Sequence, residues 1–272
     1  MKQFILLVLL FVLSHETMAQ KDQTLFFGLN VGTKLANKNY AARYNGAYPF
    51  STIESSELYL MLNNQYNYQQ IYQMLGDKHF GLTEDSYTTN MNYAPGIITG
   101  ATIGYQVSPN FQMSLDANFA KLKSKNVFTI EVYDPGNFTS EPVIELGELY
   151  AEESRFDGRF NLDFVTDESH KLKYIIGISG LFTGWRIDEH VAIFQGYKMP
   201  LFTVHNPANN FFNITKGSGW GAGFNLGLEY RINEKIVAQL LYQPYQTKVN
   251  YGFTIPKRII LQHDITVRLL WK

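Results

Sequence analysis

The sequence predicts an all-β fold: an eight-stranded antiparallel up-and-down transmembrane β-barrel with long extracellular loops. Three observations predict it. Apolar and polar residues alternate over eight separate runs, the period-two mark of strands with two unlike faces. The connections between those runs are alternately short and long. The chain is rich in Tyr (18), Phe (20) and Gly (21), and the rings fall on one face of the alternation.

Composition narrows the rest. A length of 272 residues suits one all-β domain. A formal net charge of −1 offers no basic excess to hold a phosphate backbone, so nucleic acid is excluded as a partner. Cysteine is absent, which removes disulfides, thiolate metal sites, thiol nucleophiles and a lipoprotein anchor. Residues 1–19 read as a secretory signal peptide, with Lys2, an apolar run over 4–13 and a cut after Ala19. That run is shorter than the ~20 residues of a spanning helix. Residues 20–272 are then the barrel.

The runs follow in order. Residues 25–35 set Leu25, Phe27, Leu29 and Val31 against Gly28, Asn30, Gly32 and Lys34. Residues 96–107 alternate Ile97, Ala101, Ile103 and Tyr105 with Gly100, Thr102, Gly104 and Gln106. From Phe111, Met113, Leu115, Ala117 and Phe119 oppose Gln112, Ser114, Asp116 and Asn118. Phe156, Phe160, Leu162 and Phe164 face away from Arg155, Asp157, Arg159, Asn161 and Asp163. In residues 172–187, Tyr174, Ile176, Ile178 and Phe182 oppose Gly177, Ser179 and Thr183. The sixth run sets Trp220, Phe224, Leu226 and Tyr230 against Gly221, Asn225, Glu229 and Arg231. Residues 236–242 form a short, poorly alternating strand, and 259–271 pair Leu261, Ile265, Val267 and Trp271 with Gln262, Asp264, Thr266 and Arg268. Tight turns fall at 108–110, 166–171 and 233–235. Long loops span 36–95, 124–153, 188–219 and 243–258.

A soluble lipocalin-like barrel would carry the same alternation inside out. The rings decide against it, because an eight-stranded interior is only just wide enough for side chains to fill. The rings therefore face lipid. The opposite face carries a balanced set of charges: Lys34, Arg155, Arg159, Arg231 and Arg268 against Asp116, Asp157, Asp163, Glu229 and Asp264. Charges in a confined lumen persist when paired, so a plugged interior held by an ion-pair network is expected. Phe160 falls mid-span against lipid; at Asn161, inside, an arginine is expected to cost far less if the lumen can accommodate it. Aromatic residues at strand ends, including Tyr105, Trp220, Tyr242 and Trp271, suit the membrane interfaces.

The segment ending Met18-Ala19-Gln20, the eight runs and the terminal strand 265–272, with its aromatic at Trp271, resemble the small Gram-negative outer-membrane β-barrels of OmpA-like and PorT-like (Bacteroidota) type. The resemblance is one of architecture over nearly the whole mature chain. It implies residence in the cell outer membrane, contact with its lipid and lipopolysaccharide, and roles such as adhesion, loop-mediated binding or membership of a secretion or uptake complex with other membrane subunits.

No constellation compels an enzyme, a cofactor or a metal. The histidines are scattered, with no pair at metal-ligand spacing. His263 falls on the lipid-facing side of the last strand, where lipid A acyl-modifying barrels keep catalytic residues; Ile265 stands where a serine would be wanted, and a snorkelling interfacial His is the simpler reading. Gly217, Gly219, Gly221 and Gly223 open a strand and do not form the strand-to-helix turn that cradles phosphate. The Asp157/Asp163 and Arg155/Arg159 ladder reads as structural. A small channel would need an open lumen. The first loop is the outward element with most to offer. A capping box over 51–54 and one or two helices over 54–75 are expected, with Leu58, Leu62, Ile71 and Met74 available to pack. Its Tyr44, Tyr48, Tyr59, Tyr66, Tyr68 and Tyr72 would serve either as a recognition surface for protein or glycan or as an internal lid. A hairpin of 191–195 with 201–205 is expected in the third loop.

Overall fold

A computed structural model of the chain describes residues 24–47, 52–134, 136, 141–166, 171–201, 215–249 and 261–272. The signal segment, Ser51, Tyr48, His170, His205 and the later part of the third-loop hairpin lie outside the described residues.

Ten strands form one sheet: β1 (Thr24–Leu35), β2 (His79–Gly81), β3 (Gly96–Ser108), β4 (Phe111–Tyr133), β5 (Val143–Val165), β6 (Leu172–Phe194), β7 (Tyr197–Pro200), β8 (Lys216–Arg231), β9 (Ile236–Val249) and β10 (Leu261–Trp271). Eight of them close a ring in the order β1-β3-β4-β5-β6-β8-β9-β10, every pairing antiparallel, with β10 returning to β1. Closure leaves no edge whose backbone groups would lie unpaired in hydrocarbon. Strand β2 adds to the top of β4 and β7 to the top of β6.

The two faces differ as the alternation predicts. On β4, Gln112, Ser114, Asp116 and Asn118 are buried while Leu115 and Phe119 are exposed on the outside. The same holds round the ring, from Phe27 and Leu29 on β1 to Ile265 and Val267 on β10. A single sheet wall with exposed aliphatics outside and buried charge inside is stable only where the surroundings are lipid.

The third run does not stop where the apolar-outside pattern stops. Strands β4, β5 and β6 are each 23 residues long, about twice the roughly 9–11 that a tilted strand needs to cross a bilayer. The parity of inward and outward side chains persists through β4, yet its chemistry inverts. Directly above Phe119 the outward residues are Lys121, Lys123 and Lys125, followed by Val127, Thr129 and Glu131, and the inward ones include Leu122, Phe128, Ile130 and Val132. On β5 the change falls between Phe156 and Ser154, which are paired with Phe119 and Lys121. The described residues of the expected loops over 124–153 and 188–219 are therefore largely sheet, a half-wall standing outside the membrane. Lys121–Glu152 and Lys125–Glu148 pairs, each at 2.6 Å, decorate its wet face.

Strand β9 also corrects the expectation, running to Val249 and not ending at Tyr242. Pro244 lies in its middle, and the β8–β9 ladder passes from Gly223–Tyr245 to Leu226–Tyr242 without the rungs between. Proline has no amide hydrogen to give, yet the inward alternation of Gln243, Tyr245 and Thr247 carries on across it. The third-loop hairpin turns at Gln195 and Gly196, both at positive φ, so its second arm is β7 and not 201–205.

The first loop folds into the concave side of the half-wall. Helices α1 (Lys38–Ala41), α2 (Glu57–Leu62) and α3 (Gln65–Met74) carry it. Asn37, Ser56 and Asn64 cap them, each side chain accepting a backbone N–H; the capping box expected over 51–54 rests on Ser51, outside the described residues. Leu58, Leu62 and Ile71 are fully buried against Phe128, Leu149, Trp185 and Phe194, whereas Met74 points outward. The barrel thus has two cores: a polar one at membrane level and an apolar one above it.

Candidate functional site

The lumen is built from inward positions on all eight ring strands. At mid-height, Lys34 Nζ donates to Asp157 at 2.5 Å, to Tyr245 Oη at 2.6 Å and to Asp264 at 3.2 Å. Arg159 Nη2 donates to the other oxygen of Asp264 at 2.8 Å and its guanidinium lies 5.0 Å from the Tyr245 ring. One layer on, Arg268 bonds Asp116 at 2.5 Å, and Asp116 also accepts from Thr102 and Asn161. Asn225 donates to Asp163 and Asn161, while Gln243 donates to Asn225. Towards the short-turn rim Glu229 accepts from Gln239. Towards the outer mouth Arg155 Nε donates to Glu153 and its Nη1 to Gln262.

Nine of the ten charged residues singled out in the sequence are thus buried inside the barrel. Arg231 is the exception and a correction. It keeps the inward parity, but it is the last residue of β8, beyond the rim, and its side chain is exposed. Asp163 is held by the side-chain amides of Asn225 and Gln112 and forms no close ion pair among the described residues. The sequence places Asn30, Thr102, Asn225 and Gln262 on the inward face without joining them to the ion-pair network, and Glu153, Gln243 and Tyr245 fall in the expected loops. Parity with Arg155 on β5 was the available signal for Glu153. Glycines give this network room: a Cβ at Gly177 would collide with the Asp163 carboxylate, and one at Gly100 with the Asn118 amide. Gly219, Gly221 and Gly223 serve likewise on β8, where a Cβ would meet the β9 backbone. Asn161 is fully enclosed by Ser114, Asp116 and Asn225, so the expected space for an arginine there does not exist.

Above the lumen sits the cap. Tyr44 takes the lid role of the two open to it: it is fully buried and its hydroxyl donates to Glu153 at 2.7 Å, as does that of Tyr93. Tyr59, Tyr68 and Tyr72 are half-buried and Tyr66 is 66 % exposed. Tyr68 stacks on Phe80 at 4.7 Å and on Tyr72 at 6.2 Å, and its hydroxyl meets His79 Nδ1 at 2.8 Å. The tyrosines therefore divide: Tyr40 and Tyr44 lock the cap to the barrel mouth, while Tyr66, Tyr68 and Tyr72 form an outward patch.

Against the Tyr44 ring, at 5.2 Å from its centroid, lies the ring of His190, one of a buried polar pair. His190 Nδ1 is 3.6 Å from Glu57 Oε2, both enclosed, with the Arg43 guanidinium over the Trp185 ring at 5.5 Å. Burial pushes the Glu57 carboxyl up to about 8, with Arg43 opposing, and burial together with Arg43 pushes His190 down to about 3. The pair is therefore neutral near pH 7 and is no salt bridge. Glu57 has a folded-state pKa above its ordinary 4.5, so its contribution is full below that value and is lost as pH rises through about 8. His190 works the other way, losing its contribution as pH falls from 6.5 towards 3. Between pH 6.5 and 8.5 only Glu57 acts. Amide exchange over α2 and α3, corrected for intrinsic rate, is expected to speed up across that window, and Glu57→Gln is expected to flatten the dependence.

His263 lies on the outer face of β10. Its Nδ1 is 2.8 Å from the Tyr242 hydroxyl, and the two rings stack at 5.7 Å. Its cross-strand neighbours are Leu35 and Pro244, and Ile265 follows on the same face. No nucleophile is added by these. No group of three or more metal-ligating side chains occurs among the described residues.

A closed eight-stranded wall, apolar outside over the thickness of a bilayer and polar within, defines a transmembrane barrel of the outer membrane, and that is where this chain resides. Three solved outer-membrane barrels are similar in structure. Neisserial surface protein A aligns with a TM-score of 0.44 at 9 % identity, over 93 % of this chain and 99 % of its own. OprG from Pseudomonas aeruginosa gives 0.38 at 9 %, over 91 % and 92 %. Outer membrane protein W of E. coli gives 0.33 at 10 %, over 93 % and 100 %. No family profile matches the chain, and no curated protein is similar to it in sequence.

Proposed function

We propose that the protein is a non-enzymatic scaffold or accessory subunit of the outer membrane, of OmpA-like or PorT-like kind, which presents its folded cap to a protein or glycan partner, as a subunit of a secretion or uptake complex would. The observation that carries this reading is the contrast between the two ends of the first loop. Its inner side is cemented to the barrel by Tyr40, Tyr44 and Leu58, while its outer side shows Tyr66 beside the Tyr68–Tyr72 stack. Rigid tyrosines offer contact area at low entropic cost. A packed lumen of paired charges favours a structural role over conduction, and the Tyr242–His263 pair lacks the groups of an acyl-transfer site.

The test is co-purification in mild detergent after cross-linking on intact cells. A partner held by the unmodified chain and lost from Tyr66→Ala/Tyr72→Ala, with the barrel still heat-modifiable, is the expected result. A partner retained equally by the variant would sink the tyrosine patch. A change in lipid A acyl pattern on His263→Ala would replace the scaffold reading with an enzymatic one.

A further inference from the structure

Just above the outer-leaflet edge of the apolar band, four adjacent strands place outward side chains in one hydrogen-bonded row: Lys121, Ser154, Arg186 and Lys216. The row beneath it is Phe119, Phe156, Gly184 and Ser218. Charge at this level is unbalanced. Lys121 and Lys123 share the single carboxylate of Glu152, at 2.6 and 3.6 Å. Arg186 is 68 % exposed and directs its Nε and Nη2 to Asp188, while Lys216 has no ion pair among the described residues. With Glu189, the cross-strand neighbour of Glu152, and Lys198, which pairs with it at 3.7 Å, five cations stand over three carboxylates at this level.

Two grooves run down from the cations into the apolar band, one on either side of Phe119. The first, about 630 Å³, lies between Ile97 and Phe119 with Lys121 and Lys123 at its rim. The second, about 580 Å³, has Phe119, Phe156 and Gly184 as its floor and Arg186 and Lys216 at its rim. A Cβ at Gly184 would meet only the Gly217 carbonyl, at 3.9 Å, so the floor there is open.

We propose that this face holds one molecule of a phosphorylated, multiply acylated glycolipid of the outer leaflet, the lipid A part of lipopolysaccharide. Acyl chains fill the two grooves, one phosphate meets Lys121 and Lys123, and the other meets Arg186 and Lys216. Depth calls for a molecule anionic at the headgroup and apolar directly below, and two separate pairs of cations, Lys121 with Lys123 and Arg186 with Lys216, favour one that carries two phosphates over a phospholipid that carries one. Three strand spacings of about 4.8 Å separate Lys121 from Lys216, roughly 14 Å, a span suited to a disaccharide with a phosphate at each end. The inference rests on the membrane placement and is independent of any partner of the cap.

Native mass spectrometry of the full chain in detergent, titrated with bisphosphorylated lipid A, monophosphoryl lipid A and phosphatidylglycerol, tests it. One tight equivalent of the bisphosphorylated lipid is expected, with weaker retention of the other two. Arg186→Gln/Lys216→Gln is expected to lose about tenfold or more in affinity. Lys171→Gln/Arg231→Gln, at the opposite rim, is expected to lose nothing. Equal binding of phosphatidylglycerol, or an unaffected Arg186/Lys216 variant, would overturn the proposal. Heat-modifiable migration checks the fold of each variant, and Lys216→Gln alone, which breaks no ion pair among the described residues, gives the same reading if the double variant fails to fold.

Discussion

Asp264→Ala is expected to destabilise the folded barrel by about 3–5 kcal/mol, the usual cost of stranding a buried charge. Asp264 accepts from Lys34, Arg159 and, at 3.4 Å, the Tyr245 hydroxyl. The two cations would fare differently. Lys34 keeps Asp157 at 2.5 Å, but Arg159 Nε and Nη1 have no hydrogen-bond partner among the described residues, so its only directly bonded carboxylate is the one removed. Reversible urea unfolding in lipid vesicles would show the loss as a shifted midpoint. Removing both partners together, as Arg159→Met/Asp264→Leu, is expected to restore most of it, because no orphaned charge remains. A single-variant loss below about 1 kcal/mol would mean that water reaches Arg159 and that the lumen is not dry.

Phe160→Arg is expected to cost about 2–4 kcal/mol in the same assay, the measured range for a cation at the bilayer midplane. Phe160 is the middle of five outward positions on β5, from Phe156 to Phe164, and is 45 % exposed to what must be lipid. Were the barrel soluble, the same substitution would be nearly silent, which makes this the sharper test of orientation. Its neighbour Asn161 is no tolerant control, because enclosure by Asp116 and Asn225 makes an arginine there overpack by about 1–3 kcal/mol. A fair inward control is Gln106→Ala near the rim, where the side chain donates only to Pro109 O and accepts from Lys272.

The ring was legible in the sequence because lipid and lumen impose opposite chemistry on successive residues. Phe111 to Phe119 announces a strand with no help from tertiary structure. The half-wall was not legible for a related reason. At Lys121 the outward side meets water and the inward side meets the cap, so the pattern continues with its sense reversed, and a reading tuned to apolar-outside alternation ends at Phe119. Pro244 hid the upper half of β9 by a different route, since a residue without an amide argues against a strand until the flanking rungs are seen. Among the site residues, charge balance identified the lumen network but could not exclude Arg231, because parity says which way a side chain points and nothing about whether the wall still surrounds it. Tyr44 and Tyr66 were indistinguishable in sequence. Their separation depends on Glu153, a partner 109 residues from Tyr44 along the chain.

The reversal between Phe119 and Lys121 also acts as a depth gauge. Those two side chains are neighbours on one face, about 7 Å apart along the strand, so a vertical slip of that size would submerge an ammonium or strand a phenyl ring in the glycan layer. The protein therefore cannot follow a bilayer that thickens or thins around it, and the mismatch must be absorbed by the surrounding leaflet. A wall fixed in this way would sort itself into patches of matching thickness.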